Sequence, residues 1–91
     1  MKSEDKNKNM SYSKENLDKI WEKGTPVRGK NPNLYRKDVN GDTMYKPSYG
    51  KTSPMGWEVD HKNPKANGGS DSMRNLQPML WKGNREKSDK Y

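Results

Sequence analysis

The stretch Gly56–Asp60, GWEVD, sets Trp57 and Val59 on one side of an extended backbone and Glu58 and Asp60 on the other. Alternation with a period of two reads as a strand with one buried face. That face needs cover, and the chain has little to offer: 25% of its 91 residues are hydrophobic, Phe is absent, and the mean hydropathy is −1.60. A chain this short and polar builds one small domain. Domains of this size often lean on disulfides, a metal or a partner. With no Cys, disulfides and thiolate zinc sites are excluded, and a reducing, intracellular setting is permitted.

The first candidate for cover lies upstream. SKENLDKIWEKG puts Leu17, Ile20 and Trp21 at helical spacing, with Ser13 as N-cap, Glu15 in the first turn and Gly24 where a C-terminal cap falls. Before it, residues 1–12 are almost all charged or amide residues and are expected to form a disordered tail, leaving a single domain over 13–91. Pro26, Gly29 and Pro32 mark Thr25–Lys37 as loop. Asn40-Gly41 then predicts a type I′ hairpin with strands near Tyr35–Val39 and Thr43–Lys46. After GWEVD, Pro64 and Gly68-Gly69 keep HKNPKANGGSDSMRN from forming a helix. NLQPM reads as a second short strand and LWKGNREKSDKY as a C-terminal helix, weakened by Gly83. Trp57, Trp81, Leu76 and Leu80 are the expected core of this half.

Nineteen Lys and Arg against twelve Asp and Glu give a net charge of +7, the footprint of a polyanion binder, of which nucleic acid is the commonest. No apolar run approaches the roughly 20 residues of a membrane span, and MKSEDKNKNM holds no signal-peptide core. The expectation is a cytoplasmic protein for which nucleic acid is the candidate partner.

His61, the only histidine, follows Asp60 directly; Asn75 closes the next loop and Asn84 lies on the C-terminal helix. Each alone is ordinary, since a lone His in a polar loop is commonly solvated. Together, strand, loop, strand and helix are expected to bring Asp60 opposite Asn84, with His61 beside them. Carboxylate and amide oxygens suit a hard divalent cation that also takes phosphate oxygens. An imidazole, with an ordinary pKa of about 6.5, is mostly neutral at pH 7 and can take a proton from an attacking water. Asn75 is suited to hold the loop and thereby the ring.

VDHKNPKANGGSDSMRNLQPM…GNREKSD, from Gly56 to about Asp89, resembles the HNH endonuclease family, in the variant with Asn at the last position. The resemblance implies an α+β domain built on a ββα-metal (His-Me finger) motif, with the short helix and hairpin upstream. It implies Asp60 and Asn84 as ligands of one divalent ion, Mg²⁺ first and Mn²⁺ as an alternative. His61 would be the general base and Asn75 the loop-fixing residue, with 5′-phosphate and 3′-hydroxyl products. The chain departs from the family at two places. Leu80 and Gly83 stand where many members carry zinc-binding Cys, so no structural zinc is expected, and Lys62 replaces an aliphatic neighbour of the histidine. Lys62, Lys65, Arg74, Lys82, Arg85 and Lys87 are the candidate phosphate contacts, Arg85 and Lys87 foremost. Two rival readings keep the fold: a basic DNA-binding module that does not cleave, and a nuclease subunit active only in a larger assembly or with a protein partner supplying specificity.

Overall fold

The computed structural model describes residues 12–88. The expected tail lies outside them except for Tyr12, which packs against the core. Among the described residues the fold is a small α+β arrangement of two antiparallel sheets and two helices. Helix α1 (Lys14–Trp21) begins as its sequence predicts, with the Ser13 hydroxyl accepting the Asn16 N–H at 3.1 Å. It ends differently. Glu22 is the C-cap, and Gly24 lacks the left-handed backbone of a capping glycine. Gly24 is instead packed so closely that a Cβ there would meet the Arg36 Cβ at 3.0 Å.

Part of the expected loop over 25–37 is strand: β1 (Thr25–Pro26) pairs with β2 (Tyr35–Lys37), which pairs with β3 (Thr43–Tyr45). The hairpin is present, with Tyr35 opposite Tyr45, but its turn is not type I′. That turn needs φ > 0 at both central residues, and Gly41 alone has it, at 85°. The Gly41 N–H donates to Asp38 O and the Asp38 N–H to Asp42 O, each at 2.9 Å, which makes a longer turn with glycine in the left-handed bulge position. The Asp38 carboxylate adds the Asn40 and Asp42 N–H groups, and its other oxygen takes the Leu80 N–H at 2.9 Å, tying the turn to the second sheet.

That sheet is β4 (Trp57–His61) against β5 (Leu76–Leu80), in a register that sets Glu58 opposite Met79, Asp60 opposite Gln77 and His61 opposite Leu76. Helix α2 (Trp81–Ser88) follows without a break. Trp57, Val59 and Leu76 join Ile20 and Trp21 of α1 and Met44 of β3 in one buried cluster. The expectation of a single buried face on β4 fails in an instructive way: Glu58 and Asp60, on the opposite side, are also buried. Helix α2 covers them. The loop between β4 and β5 makes single 3-10 turns at Lys65–Asn67 and Met73–Asn75, which Pro64 and the glycine pair do not prevent. No helix among the described residues is long and apolar enough to cross a membrane.

Candidate functional site

Two carboxylates on the inner side of a strand cost free energy unless charged donors meet them. Residues 58 and 60 share one face of β4, and residues 84 and 87 share one face of α2, so the two pairs meet in order. Glu58 accepts the Asn84 amide at 2.9 Å and the Arg85 guanidinium at 2.8 and 3.3 Å. Asp60 accepts the Gln77 amide at 2.8 Å and the Lys87 ammonium at 2.9 and 3.0 Å. Lys87 Nζ also donates to the His61 carbonyl at 2.9 Å and reaches the Lys62 carbonyl at 3.5 Å. Arg85 lies over the Trp81 ring, 5.6 Å from its centroid.

The ammonium of Lys87 thus stands among hard oxygens, two from Asp60 and two from the backbone. This oxygen set is the kind a hard cation takes, and a cation, an intramolecular one, already stands in it. The residues therefore fit a divalent ion held by Asp60, on the condition that Lys87 gives way. Among the described residues no three His, Cys, Asp or Glu side chains gather at one point, so such an ion would complete its shell with carbonyl, water or phosphate oxygens.

His61 ends β4, where the chain leaves the sheet. The loop it opens is closed on itself by Asn75, whose Oδ1 accepts the Asn63 N–H at 2.9 Å. The Asn75 amide donates to Asn63 O at 3.1 Å and to Ser70 O at 2.6 Å. The Lys62 N–H donates to Asn75 O at 2.8 Å, extending the pairing of β4 with β5 by one residue. One side chain therefore ties the start and the middle of the segment beyond His61 to its end. From the other side, Lys23 donates to the Leu76 carbonyl at 2.8 Å and to the Met73 carbonyl. Burial there, then the nearby charge of Lys62, lowers the Lys23 ammonium below its ordinary pKa.

The ring of His61 meets Asp71, Nε2 to Oδ1, at 2.7 Å, and Lys65 takes the other oxygen of that carboxylate at 3.1 Å. The hydrogen bond from His61, then that from Lys65, holds the Asp71 carboxyl below its ordinary range.

The expected residues are thus only partly gathered. Asp60 and His61 adjoin, and Asn75 spans the loop behind them. Asn84 does not face Asp60; its amide is on Glu58, because the helix register gives Asp60 to Lys87. The two cations expected to be foremost at phosphates, Arg85 and Lys87, are engaged in the Glu58 and Asp60 pairs, and Lys65 in the Asp71 pair. Lys62, Arg74 and Lys82 are exposed, with no ion pair among the described residues. Sequence reasoning passed over Glu58, Gln77, Asp71 and Lys23 as site residues. The signal for Glu58 was present, since its period of two from Asp60 puts it on the same face; Asp71 and Lys23 reach the site through loop geometry that no spacing encodes.

Set against models of protein families, curated proteins and solved structures, the chain matches none.

Proposed function

We propose that the chain is a divalent-metal-dependent DNA endonuclease of HNH type, built on a ββα-metal arrangement of β4, β5 and α2. The observation that supports it most is the Asn75 clamp. It fixes the loop that leaves His61 at the rim of the Asp60 oxygen set, and such rigid placement is what a general base requires. In this reading the neutral His61 ring accepts a proton from a water as that water's oxygen bonds to phosphorus. The bond from phosphorus to the 3′ oxygen breaks, that oxygen takes a proton from solvent water while His61 returns its proton to solvent, and the products are a 5′-phosphate and a 3′-hydroxyl. Asp60 holds the metal ion, with Mg²⁺ or Mn²⁺ the fitting choices, and when bound the ion supplies charge stabilisation to the phosphate and leaving oxygen. Lys62, Arg74 and Lys82 are the cations available for backbone phosphates, so binding weakens as salt rises.

The test is plasmid cleavage with Mg²⁺ or Mn²⁺ against EDTA, beside His61→Ala. Wild type is expected to nick or linearise the plasmid, with EDTA abolishing the activity and His61→Ala lowering it about a hundredfold or more. Full cleavage by His61→Ala would remove the base assignment.

The engagement of Asp60 by Lys87 favours one second reading, a basic DNA-binding module that does not cleave. DNA that is bound yet intact with every divalent metal would establish that reading in place of the first.

A further inference from the structure

We propose that Asp71 is the positioning residue for the general base, holding the His61 ring through Nε2–H and leaving the Nδ1 lone pair to act. The proposal rests on the nuclease reading above and adds to it a residue that neither the motif nor its spacing points to. It stands first on geometry. The two side chains lie 2.7 Å apart, and an ionised carboxylate can only accept, so the proton of that bond belongs to Nε2. In a neutral ring the other nitrogen is then the acceptor, and Nδ1 makes no hydrogen bond among the described residues.

Asp71 is exposed, yet it is not loosely held. The carbonyl before it, on Ser70, takes the Asn75 amide at 2.6 Å. The Ser72 N–H after it donates to Ser70 Oγ at 3.2 Å, and Ser72 O takes the Asn75 N–H at 2.8 Å. Lys65 fixes the carboxylate oxygen that His61 does not use. The Asn75 clamp therefore acts on the ring through Asp71 as well as through Asn63. Around His61 the remaining charges are Asp60 before it, Lys62 after it and Lys87 on its carbonyl; none of them hydrogen-bonds the ring.

Two readouts on the full-length protein test this. Because the chain has one histidine, a ¹⁵N-labelled sample gives one set of imidazole signals, one for each ring nitrogen. At about pH 8.5, where an imidazole is neutral, wild type is expected to show a downfield, slowly exchanging Nε2–H resonance that Asp71→Ala loses while its amide spectrum stays folded. In plasmid cleavage, Asp71→Ala is expected to lower kcat about tenfold with KM unchanged, and Asp71→Glu to restore part of the loss. An Nε2–H resonance as protected in Asp71→Ala as in wild type overturns the proposal, and so does its loss with kcat unchanged. If wild type cleaves nothing, the nuclease reading fails by itself. Asp71 then has no reaction to serve, and the Nε2–H resonance still reports whether it holds the ring.

Discussion

The two faces of β4 are buried by opposite means. On one, Trp57 and Val59 pack with Ile20, Trp21, Met44 and Leu76, and the Trp21 and Trp57 rings meet with centroids 5.1 Å apart. On the other, Glu58 and Asp60 are covered by Asn84, Arg85 and Lys87 through charged hydrogen bonds. Apolar burial returns free energy in proportion to area. Buried ion pairs return little net stability, because desolvating the charges offsets their attraction, but removing one partner is costly. The difference separates two tasks. The apolar face holds the fold, and the ionic face sets the register of α2 and keeps a carboxylate ready beside His61.

The largest expected effect tests the first half of that division. Trp57→Ala should destabilise the protein by about 3–5 kcal/mol, a large share of what a domain this small has, and leave it substantially unfolded in urea titrations followed by circular dichroism. A loss below about 1 kcal/mol would mean that the apolar face is not the main support.

The ionic face gives a smaller and conditional effect. Lys87→Met leaves Asp60 with Gln77 as its remaining donor, so the variant should lose about 1–3 kcal/mol in EDTA. It should then gain more from Mn²⁺ than wild type does, because the ion no longer competes with an ammonium for the same oxygens. The measurement is the Tm of each protein with EDTA and with Mn²⁺. Equal shifts would mean that Lys87 does not occupy the cation's place.

How far this was legible in the sequence follows the same division. Apolar period and capping chemistry are local, so α1, β4, β5 and α2 were readable from Leu17, Ile20 and Trp21, from the alternation in GWEVD, and from the Ser13 cap. Strand β1 was not, because Thr25–Pro26 becomes strand only by pairing with a segment ten residues on. The ionic face was misread for a related reason. Arg85 and Lys87 look like any exposed helical cations until the packing of α2 on β4 turns them inward, and only that packing decides that Asn84 meets Glu58. Asp71 was missed because its partner is ten residues away across a loop with no periodicity.

An effect comparable to that of Lys87→Met is expected where the loop backbone folds on itself. A Cβ on Gly69 would lie 1.7 Å from the Asn63 carbonyl oxygen, a backbone atom that the Asn75 clamp also uses. Gly69→Ala must therefore displace the loop, at about 1–3 kcal/mol, because the atoms it meets are backbone and not the ends of flexible side chains. The core should be untouched, and the loss should appear as cleavage reduced out of proportion to stability. Unchanged cleavage would mean that the loop's exact path does not matter to His61.

The smallest effect separates the rims of the two faces by pH. Asp18, on α1, is held below its ordinary carboxylate value of 3.8 chiefly by the Lys46 hydrogen bond, and Asp71 below the same value chiefly by His61. Each folded pKa is depressed, so each contribution is complete above the unfolded value and is lost as pH falls through the folded one. As pH falls below about 5, amide resonances of the loop at 62–75 should therefore move more in wild type than in Asp71→Asn, while Asp18→Asn should change the response of α1 and leave that of the loop as in wild type. A loop that titrates identically in wild type and Asp71→Asn would show that Asp71 does not organise it, and the ionic side of the molecule would then begin at Asp60.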